Sequence, residues 1–173
     1  MPLFRNGAFV EDDWRFIEAD TPLPADGAIV VGKERYLAER EALAGRADPV
    51  GLVLHAGETV EGLEQDVRHF GVIALEFPKY NDGRHYSTAR ILRDRLGFAG
   101  ELRARGEVLR DQVHALHRCG FDTLDVSHDG TIEALRTGAV VFVREHYQPA
   151  SLEGEEQPAS GLRHRLRIAR GQA

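Results

Sequence analysis

Charged residues that could transfer a proton gather between residues 76 and 111, where two predicted strands are each followed by a helix. Glu76 lies near the end of the first of these strands, Asp82 lies in the turn after it, and Asp111 lies at the next strand-to-helix corner. Active sites of α/β proteins form at such corners. Glu76, Asp82 and Asp111 are therefore candidate acids or bases, although Asp82 is equally suited to capping the helix that follows it.

The turn at residues 79–84 also has the composition of an anion site. Lys79, Arg84, Tyr86 and Ser87 crowd a predicted helix start, where free backbone N–H groups and the helix dipole favour negative charge. Arg84 offers a planar fork for a phosphate, sulfate or carboxylate. Neither a Walker A loop nor a G-x-G-x-x-G fingerprint is present. This prediction therefore rests on charge and geometry rather than on a motif.

Two further arginines extend the candidate site. Arg110 is predicted on the first turn of a helix at residues 107–119, where the dipole disfavours a cation, so its position calls for another explanation. Arg103 lies in the predicted strand 101–105, on its polar face. Glu76, Arg103 and Asp125 occupy equivalent faces of three successive strands. They form either a structural ion-pair network or a functional pocket.

Histidines and the one cysteine add weaker candidates. His55 and His128 follow strand ends, and either could serve as an acid or base. His114 and His117 are three residues apart, but the sequence gives no third ligand, so we interpret them as surface residues and predict no metal site. Cys119, the single cysteine, excludes an internal disulfide within this chain.

Strands alternating with helices predict an α/β fold of about five βα units with a parallel sheet. Helices are expected at residues 34–44, 58–70, 84–96, 107–119 and 129–136, and a final strand or helix start at residues 140–143. Because successive strands have one apolar and one polar face, we favour a partial TIM-barrel-like sheet, with a flavodoxin-like doubly wound sheet as the alternative. Asn6-Gly7 predicts a small N-terminal β-hairpin.

The predicted organisation is a hairpin and linker at residues 1–27, an α/β domain at residues 28–150 and a flexible tail at residues 151–173. The 173-residue chain has a net charge of −6, which shows no electrostatic footprint for nucleic acid. Its start shows no signal-peptide run, and no segment is apolar for the length of a membrane span. We therefore expect a cytoplasmic protein without nucleic-acid or membrane partners.

The run from Phe77 to Asp122 resembles the bacterial domain-of-unknown-function 934 family, and the resemblance covers roughly residues 1–150. Arg105 stands where that family's pattern has an apolar residue, and Glu107 replaces an Asp, so Arg105 receives less weight than Arg103. The residues that match the pattern are Phe77, Pro78, Lys79, Asp82, Gly83, Arg84, Tyr86, Ser87, Ala89, Arg90, Gly100, Glu101, Leu102, Arg103, Ala104, Gly106, Val108, Leu109, Arg110, Asp111, Gln112, Arg118, Cys119, Gly120, Phe121 and Asp122.

The resemblance implies an association with sulfate and sulfite assimilation and a loose label of oxidoreductase involved in sulfite reduction. It supplies no catalytic residues and no cofactor, and the sequence has no cofactor motif. We expect an accessory protein of reductive sulfur assimilation that binds an oxyanion or sulfur metabolite at the strand ends. The alternatives are an oxidoreductase and a non-catalytic partner of sulfite reductase or another sulfate-assimilation enzyme, and a homo-oligomer stays open.

Overall fold

The computed structural model describes residues 2–140, which form one eight-stranded sheet with five α-helices. The predicted element at residues 140–143, except for Val140, and the predicted tail lie outside the described residues. The strands are β1 (Leu3–Arg5), β2 (Ala8–Val10), β3 (Arg15–Ile17), β4 (Ile29–Gly32), β5 (Val50–Leu54), β6 (Val72–Phe77), β7 (Glu101–Gly106) and β8 (Thr123–Val126). The helices are α1 (Lys33–Ala38), α2 (Arg40–Ala44), α3 (Arg84–Arg90), α4 (Val113–Arg118) and α5 (Asp129–Arg136), with a 3₁₀ turn at Val67–His69 and a π-helical turn at Ile91–Arg95.

The strand order selects the partial barrel over the flavodoxin-like alternative. From one edge to the other the order is β2-β1-β8-β7-β6-β5-β4-β3, and β3 to β8 are parallel neighbours in chain order. Right-handed crossovers between strands added in one direction place the helices on one face of the sheet, whereas a doubly wound sheet reverses its strand order. The predicted α/β half-barrel is confirmed.

The N-terminal segment forces the sheet to curl. β2 and β3 lie at opposite edges, and seven strand spacings of about 4.8 Å would separate them by roughly 34 Å in a flat sheet. Only residues 11–14 connect them, and five extended steps span at most about 18 Å. The segment therefore crosses the concave face. In agreement, the guanidinium carbon of Arg105 on β7 lies 3.6 Å from the ring centroid of Phe16 on β3, four strands away.

The hairpin prediction is confirmed. β1 pairs antiparallel with β2 around Asn6 (φ 51°) and Gly7 (φ 82°), the left-handed pair of a tight hairpin turn. β1 also pairs antiparallel with β8 and so joins the hairpin to the main sheet. β3 was not predicted as a strand, because a three-residue edge strand carries too little alternation to be recognised.

The two faces of the sheet differ as their sequences indicate. The helix-covered face buries the main core, which includes Ile73, Leu75 and Phe77 of β6. The concave face has only a small apolar cluster, Val30, Val53, Val72 and Ala74, with Trp14 and Phe16 packed on it. The rest of that face is polar. The structure therefore separates a packed side from a side on which charged groups meet.

Several helix predictions were too long. Residues 58–70 form turns rather than a helix, because Gly57 and Gly62 adopt positive φ, although Val60 and the rest of the apolar stripe are buried. The helix predicted at residues 107–119 begins only at Val113, so Arg110 and Asp111 lie in the preceding turns. The helix predicted at residues 34–44 is split into α1 and α2, and the one at residues 84–96 continues after α3 as the π-helical turn.

Candidate functional site

A cavity of about 370 Å³ opens on the concave face at the carboxyl ends of β4 to β7. Phe16, Val30 and Val53 form its apolar lining, and its polar groups come from the strand ends and the turns after them. The charged and titratable residues that line it are Glu18, Lys33, Glu34, Arg35, His55, Glu58, Glu76 and Arg105. An apolar cavity with a few convergent polar groups is the usual form of a small-molecule site.

His55 and Glu76 form a hydrogen-bonded pair in this cavity. The Nδ1–H of His55 faces Glu76 Oε2 at 2.8 Å. The backbone of His55 is held on both sides, because its N–H donates to Glu58 Oε2 at 2.6 Å and its carbonyl accepts from His85 Nε2 at 3.2 Å. A carboxylate on Nδ1 sets the tautomer that leaves Nε2 as the free base. Within residues 2–140, Nε2 makes no hydrogen bond.

His85 contacts the His55 backbone of this pair. Its side chain is buried, and burial lowers its pKa, which the hydrogen bond to His55 only partly offsets. A neutral imidazole has one N–H, and here it is the Nε2–H that donates to His55. Nδ1 then remains as a buried acceptor without a hydrogen bond in the described part of the chain. A neutral His85 thus fixes the His55 backbone without adding charge beside it.

Arg105 is a cation of the cavity whose guanidinium makes no side-chain hydrogen bond within residues 2–140. Its guanidinium stacks on Phe16, and its Nε lies 3.6 Å from Asp125 Oδ2, beyond hydrogen-bond distance. Its Nη1 is buried and finds no acceptor among residues 2–140. Burial raises the pKa of Asp125, and Arg105 opposes that rise. An incompletely paired, aromatic-stacked guanidinium is a ready receptor for a planar or tetrahedral oxyanion.

A second cavity, of about 640 Å³, lies on the other side of Glu76. We call the two cavities together the mouth of the half-barrel. Ser127, His128 and Asp129 line it beside Glu107. His128 is the N-cap of α5, since its Nδ1 accepts from the backbone N–H of Thr131 at 3.2 Å. The sequence-predicted His128 therefore lies at the mouth, but one of its ring nitrogens serves the helix.

The predicted anion turn is exposed, and its charges are largely satisfied internally. Arg84 donates from Nε and Nη2 to the two oxygens of Asp82 at 2.9 and 2.5 Å. Those hydrogen bonds lower the pKa of Asp82 to about 2. Lys79 and Ser87 are exposed. Tyr86 instead packs on Phe77, and burial raises its pKa to about 12, so its hydroxyl is not an acid at neutral pH.

Arg103 lies in the interior rather than at the cavity. It is fully buried and donates to both oxygens of Asp12, at 2.6 and 3.0 Å, and to Glu101. Burial opposes its charge, but the two carboxylates outweigh that effect and raise its pKa. Of the predicted cluster, Glu76 reaches the mouth, Asp125 faces Arg105, and Arg103 belongs to a structural network. A role for Arg103 in anion binding stays a prediction without geometric support.

Arg110 and Asp111 are exposed in the turns before α4. Their loop is fixed to the predicted anion turn by Gln112, whose side-chain amide donates to the Tyr80 carbonyl at 2.6 Å. The turn at residues 79–84 and the loop at residues 107–112 therefore lie side by side at the rim. The structure does not bring Arg110 or Asp111 into contact with His55 or Glu76.

From the sequence, His55 is one of two weak histidine candidates and Arg105 ranks below Arg103; the structure adds the His55–Glu76 contact and the position of Arg105 in the cavity lining. Arg103 and Arg105 lie on the same face of one strand, so strand alternation cannot separate them. The sequence nevertheless contains a signal for Arg105, because this arginine stands where the pattern of the resembled family has an apolar residue. Lys33, whose Nζ donates to the Thr59 carbonyl at 2.7 Å, was not singled out.

The described residues contain neither a metal-binding cluster nor a membrane-spanning helix. Within residues 2–140, no three His, Cys, Asp or Glu side chains are grouped so that they could hold a metal ion. Over the same part of the chain, no helix has the length and apolar character needed to span a bilayer.

Comparison with known proteins bears on the family alone. No curated protein matches the chain. The family model for bacterial proteins of unknown function DUF934 matches residues 51–159, more than half of the chain, and this range includes β6 to β8 and all of β5 except Val50, with His55, Glu76 and Arg105. The chain belongs to the DUF934 family.

Proposed function

We propose that this protein binds a small oxyanion or sulfur-containing anion at the carboxyl ends of its parallel strands, as an accessory protein of reductive sulfur assimilation. The observation that carries the proposal is Arg105, a guanidinium stacked on Phe16 with an unsatisfied buried N–H group, in the wall of a 370 Å³ cavity. The sulfur chemistry comes from the family resemblance. In this proposal, the partner that supplies or consumes the ligand is sulfite reductase or another sulfate-assimilation enzyme.

The cavity suits an anion better than the exposed turn at residues 79–84. Arg84 already has a bidentate carboxylate partner, and an incoming anion would have to compete with Asp82 in open solvent. Arg105 has one carboxylate partner, Asp125, which lies 3.6 Å from its Nε. The Phe16 ring beneath the guanidinium reduces the screening of its charge by solvent. Lys33, whose Nζ donates to the Thr59 carbonyl, is a second cation of the cavity lining. The proposed receptor is therefore Arg105.

Isothermal titration calorimetry with sulfite, sulfate and adenylyl sulfate tests the proposal. Replacing Arg105 with Met should weaken binding by roughly 10- to 100-fold, which corresponds to the loss of a charge-assisted hydrogen bond. Arg105→Lys keeps the charge but loses the fork and should recover only part of the affinity. The matched control is Arg136→Met, which removes an exposed arginine paired with Glu133 and should not change binding.

Two results would contradict the proposal. One is the absence of binding for all three anions with protein that is folded by circular dichroism. The other is binding that survives Arg105→Met but is lost in Arg84→Met, which would move the receptor to the predicted turn.

A further inference from the structure

We propose that His55 is a proton-transferring residue of this cavity and that Glu76 is its positioning residue. The inference rests on the proposed function for the class of ligand, an anion bound beside Arg105. It goes beyond that function because it assigns an acid–base activity to the site. Its basis is the His55 Nδ1–Glu76 Oε2 contact of 2.8 Å, together with the place of His55 in the cavity lining and the closeness of its Nε2 to Gly32, another lining residue.

The position of His55 is determined by three separate contacts. Glu58 holds its backbone N–H, His85 holds its carbonyl, and Glu76 holds its ring. A histidine that only fills space does not need its backbone and ring fixed by three other side chains. General acid–base catalysis does need that order, because the base must meet its proton at hydrogen-bond distance.

Gly32 keeps the approach to the base open. A Cβ built on Gly32 would lie 3.7 Å from His55 Nε2, in van der Waals contact with the reactive nitrogen. The φ of Gly32 is −68°, which any residue can adopt, so the backbone does not require glycine here. The missing side chain instead leaves Nε2 accessible from the cavity.

The charges around His55 favour a proton shared with a bound anion. The charged and titratable groups around His55 come from every neighbouring element: Glu18 after β3, Lys33, Glu34 and Arg35 of α1, Glu58 after β5, Glu76 of β6, Arg105 of β7, and Arg84 and His85 of α3. In the proposed state, Glu76 accepts the hydrogen bond from Nδ1, while Arg105 and Lys33 are cations of the lining that can contact the bound anion.

The proposed step balances in atoms and charge. The O–H or S–H bond of a protonated monoanion, such as hydrogen sulfite, breaks, and the proton forms a bond with His55 Nε2. The imidazolium keeps its other proton on Nδ1, hydrogen-bonded to Glu76, and the ligand becomes a dianion beside Arg105. This proton transfer implies that the ligand belongs to the class of small acids with one titratable proton near neutral pH. In the reverse direction, Nε2–H returns the proton to the dianion.

Proton-linked calorimetry with sulfite tests the step. In alkaline buffer, where free sulfite is the dianion and free imidazole is neutral, binding to the wild-type chain should take up about one proton per sulfite bound. The uptake is measured from the dependence of the binding heat on the ionisation enthalpy of the buffer. His55→Gln should still bind sulfite through Arg105, about tenfold more weakly, but with no proton uptake. Binding without proton uptake in the wild type would overturn the inference and leave the proposed function intact.

A ligand-free measurement decides the inference if sulfite does not bind, in which case the proposed function fails separately. Acylation by diethyl pyrocarbonate, followed by mass spectrometry, should modify His55 several-fold faster than the exposed His69 in the same chain. Glu76→Ala and Gly32→Val should each slow the reaction at His55 and leave His69 unchanged. Nitrogen-15 spectra should show the Nδ1–H tautomer for His55 in the wild type and a shift toward Nε2–H in Glu76→Ala. Equal acylation rates, or an Nε2–H tautomer in the wild type, would overturn the inference.

Discussion

Removing Asp12 should destabilise the whole half-barrel, because this carboxylate ties the crossing segment at residues 11–14 to β7. Asp12 accepts two hydrogen bonds from Arg103, whose side chain has no exposed surface. Asp12→Ala leaves that guanidinium buried with Glu101 as its remaining carboxylate partner. Breaking a buried ion pair from one side costs about 3–5 kcal/mol.

The lower end of that range applies here. The Asp12 side chain is 25% exposed, and Glu101 continues to neutralise Arg103. We expect a loss of about 3 kcal/mol in the free energy of unfolding, which lowers the melting temperature by roughly 6–12 °C for a chain of this size. Urea unfolding followed by circular dichroism measures the first quantity, and differential scanning calorimetry measures the second.

A neighbouring carboxylate supplies the control. Asp13→Ala changes an exposed residue of the same segment and should cost less than about 0.5 kcal/mol. The double variant Asp12→Ala/Arg103→Met removes the orphaned charge and should recover part of the stability that Asp12→Ala loses. If Asp12→Ala were as stable as Asp13→Ala, the crossing segment would not be anchored in the way described.

Three further results are expected. Phe16→Leu removes the aromatic floor of Arg105 and should weaken sulfite binding about 2- to 5-fold by calorimetry, a loss of roughly 0.5–1 kcal/mol; unchanged affinity would show that the stacking does not orient the guanidinium. Gly51→Ala places a methyl group against Val72 and should cost about 1–3 kcal/mol in urea unfolding, and a neutral effect would argue against this packing. Because burial lowers the pKa of His85, the unfolded chain binds the proton first as the pH falls below about 6.5, so stability present at higher pH should decline there. His85→Gln, which keeps a donor, should flatten that decline in urea midpoints measured against pH.

Local sequence signals predicted the elements that depend on local chemistry. Asn6-Gly7 specified the hairpin because a tight turn needs left-handed residues there. The alternation in β6 predicted which side chains reach the core and that Glu76 lies on the opposite face. The stripe from Val60 to Phe70 correctly predicted which side chains are buried, but it wrongly predicted a helix. The spacing of apolar residues does not show that Gly62 adopts a positive φ.

The remaining part of the site depends on contacts between distant residues. Arg103 and Arg105 have the same face and the same chemistry in the sequence. What separates them is Asp12, which is 91 residues from Arg103 and meets it only because residues 11–14 cross the sheet. The segment crosses the sheet because β3 pairs at the edge opposite β2. The three residues of β3 are too few for their sequence to predict that pairing. The assignment of one arginine to the interior and the other to the cavity therefore required the fold.

The most direct test of the central claim is a crystal structure of the full chain grown with sulfite. We expect the anion in the 370 Å³ cavity, within hydrogen-bond distance of Arg105 and of His55 Nε2, and no anion there in Arg105→Met crystals grown in the same way. Two results would contradict the proposed anion site. One is an anion found instead at the turn of residues 79–87, and the other is an empty 370 Å³ cavity in wild-type crystals while calorimetry shows binding.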